Sequence, residues 1–242
     1  MKVLIVGYGF VGKATEYLLT KVGAEISVYD PPLGFDSANS EVDYVFLCVP
    51  TPLKGDKLDT TILEEVYQQF NNKQVVIRST IGPDQVEKFP DAIIMPEFLR
   101  ERSWKEDVDN PNLPLVIGFP GEVHEGFVST FNNVKTPTVL GAKGASMFKL
   151  ARNASLAMRV ALANDFYEIC QKHGIQYNEV ANLLQTDIWL GGTHWQVPGP
   201  DGELGFGGNC FPKDLTHIAN LCYNTYNPMA TALTQNKLRR IK

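Results

Sequence analysis

Lys2-Val3-Leu4-Ile5-Val6-Gly7-Tyr8-Gly9-Phe10-Val11-Gly12 opens the chain, and the reading of this stretch decides the fold. Lys2 to Val6 is a short apolar run ending at glycine, the pattern of a buried strand. Gly7, Gly9 and Gly12 then mark a tight turn, and Val11 to Val22 carries apolar residues at helical spacing. Glu25 to Tyr29 reads as a second strand and ends on an acid, Asp30.

A lone G-x-G-x-x-G is weak. Placed after a strand, opening a helix and followed by an acid at the end of the next strand, it marks a dinucleotide site. Gly7 permits the turn, Gly9 lets a pyrophosphate approach the backbone, and Gly12 lets helix and strand pack closely. Phe10 and Val11 belong to the same turn, and the helix that starts there aims its N–H groups at the phosphates. Asp30 suits ribose hydroxyls and repels a 2′-phosphate, so the expected cofactor is NAD rather than NADP. The alternative is a glycine-rich turn without a cofactor.

Outward from this unit, strand and helix keep alternating. Tyr44 to Val49, Val75 to Ile77, Ala92 to Met95 and Leu115 to Ile117 read as strands, with helices near Thr60–Phe70 and Glu122–Phe131. This is the pattern of an α/β, Rossmann-type, doubly wound parallel sheet. It changes near Gly141. Ala145 to His173 is one long helical run with a stop at Gly174, a shorter helix follows over Asn178–Gln185, and Gly191 to Pro212 is an irregular loop rich in Gly and Pro. Helix returns from Asp214 to about the end. The expected domains are residues 1–141 and a helical domain, 142–242, built on one long helix. That helix carries apolar residues beyond one face, which suits either a core position or a homodimer interface near 145–173.

The bulk composition agrees with a globular protein of 242 residues. A net charge of -5 gives no support for nucleic-acid binding. No apolar run reaches the length of a membrane span. The first strand leaves no room for a leader, and the four cysteines are scattered without a C-x-x-C pair, so neither a disulfide framework nor a metal site is expected and the setting reads as cytoplasmic.

Gly205-Phe206-Gly207-Gly208-Asn209-Cys210-Phe211-Pro212-Lys213-Asp214 is the second informative stretch. Cys48, Cys170 and Cys222 lie in apolar or helical patterns, as inert cysteines do. Cys210 instead stands between a glycine-rich turn and a proline at the mouth of a helix. The helix N-terminus and Lys213 both favour its thiolate. Asp214 follows one turn on, and Phe206-Gly207-Gly208 leaves backbone N–H groups available to an anion. On the long helix, Lys149 and Asn153 share a face. A lone lysine among apolar neighbours snorkels to solvent, but an ammonium beside an amide also makes an oxyanion cradle.

With these pieces in hand, the chain resembles the UDP-glucose/GDP-mannose dehydrogenase family. The matching pieces are Gly7 to Gly12, Val49-Pro50-Thr51-Pro52, Arg78-Ser79-Thr80, Pro96-Glu97-Phe98-Leu99-Arg100-Glu101, Lys149 with Asn153, and Gly205 to Asp214. They run in the family's order over nearly the whole chain, and the cysteine motif looks most like the UDP-glucose branch. The resemblance implies oxidation of a nucleotide sugar, UDP-glucose to UDP-glucuronate, by two hydride transfers to NAD through a thiohemiacetal and a thioester on Cys210. It implies that Lys149 and Asn153 steady the oxyanion, that Asp214 and Thr80 orient water, and that Glu97 acts as base or assists hydrolysis. Val49, Pro50, Thr51 and Thr80 would line the cofactor. Phe98, Leu99, Arg100, Glu101, Lys149, Asn153, Phe206, Gly207, Gly208 and Lys213 would hold the substrate.

Departures accompany the likeness. The family's C-terminal nucleotide-binding domain is expected to be lacking, the segment from Asp30 to Tyr44 is short, Arg102 stands at a usual Gly, and Pro114 stands near a usual Arg. Two rival readings remain. The β-hydroxyacid dehydrogenases also join a Rossmann domain to a helix bearing Lys-x-x-x-Asn, but transfer one hydride and need no thiol. A non-catalytic NAD-binding remnant working with a partner chain is the other, against which the joint presence of Cys210, Lys149, Asn153 and Asp214 argues.

Overall fold

The computed structural model describes residues 1–38, 41–222 and 227–240. In chain order the strands are β1 (Lys2–Val6), β2 (Glu25–Tyr29), β3 (Tyr44–Leu47), β4 (Leu53–Lys54), β5 (Lys57–Leu58), β6 (Gln74–Ile77), β7 (Ile93–Ile94), β8 (Val116–Phe119) and β9 (Thr138–Gly141). The α-helices are α1 (Phe10–Lys21), α2 (Thr61–Phe70), α3 (Trp104–Asp109), α4 (Glu125–Ser129), α5 (Ala142–His173), α6 (Tyr177–Thr186), α7 (Phe211–Asn220) and α8 (Pro228–Arg239). They fall into two compact units, Met1–Pro52 with Asp59–Lys149, and Leu53–Leu58 with Leu150–Lys242.

The first unit is the Rossmann-type fold. Among the described residues its sheet runs β2-β1-β3-β6-β7-β8-β9. Successive side chains of a strand point to opposite faces, and both faces are covered. Leu4, Val6, Val45, Leu47, Val75 and Ile77 pack with Leu63 and Tyr67 of α2 on one side. Val3, Ile5, Phe46, Cys48 and Val76 pack with Ala14, Leu18 and Leu19 of α1 on the other. Two-sided burial is why these strands read as continuous apolar runs.

The pairs from β2 to β7 are parallel, as the alternation implies. The end of the sheet departs from that expectation: β8 runs antiparallel to β7, and β9 is parallel to β8. An apolar strand run reads alike in either direction, so periodicity alone does not reveal the reversal. The exposed β9 and the two-residue strands β4 and β5 are too short or too polar to stand out by periodicity.

The second unit is helical. Leu150, Ala154, Ala157 and Ala161 of α5 bury one stripe against Phe206, Leu215, Ile218 and Ala232. Farther along, Ala163 and Cys170 pack with Tyr177, Ala181, Trp195 and Val197. Gly174 ends α5 at a φ of 68°, in the left-handed region that favours glycine. The expected C-terminal helix is two helices. α7 starts earlier than Asp214, at Phe211, with Pro212 in its first turn. Asn227 caps α8 by accepting from the N–H groups of Met229 and Ala230 at 3.1 and 3.4 Å.

Gly12 is the tightest point of the first unit, because a β-carbon there would overlap the carbonyl oxygen of Gly7. Gly12→Ala gains about 1 kcal/mol of helix propensity, but backbone crowding of this kind costs about 1–3 kcal/mol. The expected outcome is a lower urea midpoint. A midpoint at or above that of the parent would show that the turn relaxes freely.

Candidate active site

In the first unit β2 lies on one side of β1 and β3 on the other, so a crevice opens outside the carboxyl ends of these strands. The glycine turn lies there. Gly7 has a φ of 87°, and a β-carbon on it would stand 2.9 Å from the carbonyl carbon of Cys48. Around Gly9 the same construction meets nothing within 4 Å. The turn is thus packed tight against the strands and open toward the crevice, the shape a pyrophosphate needs. The Asp30 carboxylate accepts the Tyr8 N–H at 2.6 Å and is thereby fixed beside the turn. The Tyr8 phenol donates to Glu16, which with burial pushes its pKa up to about 12.

The ends of β3 and β6 are pinned to each other. Thr51 Oγ1 donates to the carbonyl of Thr80 at 2.7 Å, and Ser79 Oγ donates to that of Val49 at 2.6 Å. The residues expected to line a cofactor therefore do lie together: Gly7 to Gly12, Asp30, Val49 to Thr51 and Thr80. These residues fit NAD.

Glu97 and Lys149 form the charged centre of this unit. The ammonium donates to Glu97 Oε1 at 2.6 Å and to its backbone carbonyl at 2.7 Å, and both side chains are at most 5 % exposed. Oε2 accepts the Leu99 N–H at 2.7 Å. Burial acts to raise the Glu97 pKa, but the Lys149 charge and hydrogen bond, the Leu99 N–H and Arg78 together hold it below the ordinary carboxylate range. Arg78 is itself buried, donating to Thr15 Oγ1 at 3.2 Å and to the Met95 carbonyl at 3.0 Å. Burial pushes the nearby Cys48 thiol up to about 11, against the opposing pull of Arg78 and Thr15, which makes it inert. Phe98 is buried with its ring edge against Phe148, while Leu99 is half-buried. The Arg100 guanidinium is engaged by Asp107 at 2.6 Å, and Glu101 is exposed.

In the second unit, Cys210 is the N-cap residue of α7 and is half-buried. Asp214, fully buried, accepts from Asn153 Nδ2 and from Lys213 Nζ, each at 2.7 Å. Lys149 and Asn153, read from the sequence as one cradle, are thus each engaged by a different carboxylate, Glu97 and Asp214. Phe206 is buried, Gly207 half-buried and Gly208 exposed.

Three residues here were not singled out from the sequence. His217 is fully buried on α7 and its Nδ1 accepts the Leu58 N–H at 3.2 Å. Asn164 on α5 and Asn236 on α8 are buried and bond the loop before Cys210. A single polar residue in a helical pattern reads as solvent-facing, so only its pairing with a distant glycine loop gives it away.

A thiol at a helix mouth, beside a buried acid–amide–ammonium cluster, belongs to a recognisable pattern. Residues 143–237 match the model of the UDP-glucose/GDP-mannose dehydrogenase family, central domain. The matched stretch takes in Lys149, Asn153, Cys210 and Asp214. Relatives include the putative UDP-glucose 6-dehydrogenase YtcA of Bacillus subtilis, 26% identical over 89% of this chain and 62% of that protein. The UDP-glucose 6-dehydrogenase AglM of Haloferax volcanii is 29% identical over 74% of this chain and 47% of its own length. The chain thus spans about half to three fifths of these curated relatives.

Among solved structures, the UDP-glucose dehydrogenase from Pyrobaculum islandicum superposes with a TM-score of 0.81 at 23% identity, covering 98% of this chain and 68% of that one. The 3-hydroxyisobutyrate dehydrogenase of Mycobacterium tuberculosis superposes with a TM-score of 0.74 at 15% identity, covering 98% and 92%. At these identities the likeness is one of fold. Among the described residues, no helix is long and apolar enough to cross a membrane.

The Glu97–Lys149 pair gives a pH test of the charged centre of the first unit. With its pKa held below the ordinary 4.5, Glu97 contributes stability that is complete above about pH 4.5 and is lost as pH falls through the lower folded value. Lys149→Met removes the ammonium and leaves burial dominant, so the folded pKa rises above 4.5 and the sign reverses: stability is lost as pH rises. The variant is expected to be less stable by about 3–5 kcal/mol at neutral pH and to gain stability as pH falls toward 5. Urea midpoints between pH 5 and 8 measure this, and a level profile would mean that Glu97 becomes solvated instead.

Proposed function

We propose that the chain oxidises a nucleotide sugar at C6 with NAD, taking UDP-glucose to UDP-glucuronate in two steps through a covalent intermediate on Cys210. The observation that carries this reading is the thiol at the mouth of α7, whose first turn also bears a buried carboxylate paired with an amide and an ammonium. NAD supplies the hydride acceptor for each step.

The chain's residues supply the remainder. N–H groups at the start of α1 meet the pyrophosphate, and Asp30 accepts ribose hydroxyls through Oδ1 while Oδ2 keeps the Tyr8 N–H. Val49 to Thr51 and Thr80 line the nicotinamide side. The C6 hydroxyl gives its proton to a base, with Glu97 the candidate, as the first hydride leaves, and an aldehyde results. The Cys210 sulfur adds to the aldehyde carbon, and the oxygen gains a proton to give a thiohemiacetal. Loss of that proton and of the second hydride gives a thioester. Water oriented by Asp214 and Thr80 attacks, the C–S bond breaks, and the uronic acid and the thiol are released.

Lys149 and Asn153 stabilise the charged oxygen at each stage. An ammonium has three protons, and two serve Glu97. The third suits the sugar oxygen, as does the second proton of the Asn153 amide. Phe98, Leu99, Glu101, Lys213 and the Phe206–Gly208 backbone would hold the nucleotide sugar, with Arg100 acting through its backbone because Asp107 occupies its guanidinium. A homodimer would use the exposed Leu162, Phe166 and Ile169 of α5.

The nearly complete coverage of 3-hydroxyisobutyrate dehydrogenase favours a second reading, a single hydride transfer without the thiol. Counting reduced nicotinamide per UDP-glucose consumed separates the two. Two per sugar is expected. One per sugar, or reduction only with a hydroxy acid, supports the second reading, and reduction only with an added partner chain supports a cofactor-binding module. Cys210→Ser is expected to release product at the aldehyde level with NAD affinity unchanged. Sustained uronate formation by that variant would rule out the thioester.

A further inference from the structure

We infer that Asn236 and Asn164 are positioning residues for Cys210, gripping the backbone of the loop that delivers the thiol to the first turn of α7. The inference rests on the reading of Cys210 as the nucleophile. Asn236 treats Phe206 as a strand partner would: its Oδ1 accepts the Phe206 N–H at 2.7 Å and its Nδ2 donates to the Phe206 carbonyl at 2.9 Å. Asn164 Oδ1 accepts the N–H of Gly205 at 2.8 Å, while its Nδ2 donates to the Val160 carbonyl at 2.8 Å and so fixes which way the amide faces. Both asparagines are at most 8 % exposed.

Burying two carboxamides is costly unless each is bonded. Here their partners are backbone groups of an irregular loop, which would otherwise be orphaned themselves. The sequence makes room for this grip. A β-carbon at Gly205 would overlap the Asn236 amide oxygen. The Phe206 side chain anchors the same point from the other direction, buried with Leu150, Ala154 and Leu215. Arg240 adds a third restraint, lying against Gly207 with its guanidinium bonded to Asp201 at 2.6 Å.

Only Gly207, Gly208 and Asn209 separate the gripped residue from Cys210, so the grip limits how far the sulfur can stray. Cys210 is the N-cap residue of α7, and the N–H groups there favour a thiolate only when the sulfur is held close to them. Releasing the grip therefore raises the thiol pKa and lowers its reactivity.

The test is site-resolved alkylation of the full chain by iodoacetamide across pH, read by peptide mass spectrometry, with nicotinamide reduction followed in parallel. Asn236→Ala is expected to shift the apparent Cys210 pKa upward by about one unit. After allowing for the greater nucleophilicity of a more basic thiolate, this slows its alkylation near neutral pH by about three- to fourfold. Buried Cys170 stays protected. Asn236→Asp keeps the acceptor for the Phe206 N–H and is expected to act in the same direction, which serves if the alanine variant does not fold. A Cys210 alkylation rate within twofold of the parent's across the pH range overturns the inference. So does faster alkylation of Cys210 together with Cys170, which would mean that the asparagines only hold the fold. Because alkylation needs no substrate, a slowed Cys210 in a chain that reduces no NAD sustains the positioning role while removing the proposed activity. Turnover with unaltered alkylation does the reverse.

Discussion

A lysine ammonium cannot stay in an apolar interior without a counter-charge, and this requirement organises the first unit. Lys149 finds its counter-charge in Glu97, just past β7, at 2.6 Å. The pair fixes the start of α5 against the segment leaving β7, and the neighbouring contacts are consistent with that seat. Ala142 and Ala145 pack into the core on the α2 side of the sheet. Ser146 Oγ donates to the Ile81 carbonyl at 2.7 Å. Gly118 offers no β-carbon where Ala145 comes close. An ion pair that is expensive to bury is here held beside the Phe98 ring, 5.8 Å from the Lys149 ammonium, while small residues let α5 seat closely on the sheet.

The same device recurs wherever the backbone is irregular. Regular elements satisfy their own N–H and C=O groups, while loops must borrow partners. Arg78 serves the Met95 carbonyl, Ser79 that of Val49, Thr51 that of Thr80, Tyr177 that of Trp195, and the two buried asparagines serve Gly205 and Phe206. Each of these loops adjoins a residue that the functional reading uses or a segment that packs beside one. The polar interior of this protein thus serves mainly to hold non-repetitive chain still.

The Rossmann-type unit was legible because its signals are local: the glycine spacing, the apolar strands and Asp30 lie within a single βαβ stretch. α5 and its stop at Gly174 were legible from periodicity. What stayed hidden depends on distant partners. The reversal at β8 leaves no mark on an apolar run, which reads alike in either direction, and β9 is too exposed to show a core-facing alternation. In the candidate site, Cys210 and Asp214 stood out because they share one motif. The pairing of Lys149 with Glu97, across fifty-two residues, did not, since helix spacing placed the lysine beside Asn153 instead. Asn164 and Asn236 carry no local mark at all.

The far end of the sheet has one more consequence. β9 is the last strand in the order and is exposed along its whole length, with Val139 and Leu140 more than a third open. An uncovered strand edge is a template on which a stray chain can add itself, the first step toward aggregation. This edge is kept short: four residues, ending where Gly141 passes directly into α5. An incoming strand would gain only a few ladder bonds before it met a helix. The abrupt handover from strand to helix at residue 141 therefore also acts as a safeguard for solubility, and lengthening β9 would weaken it.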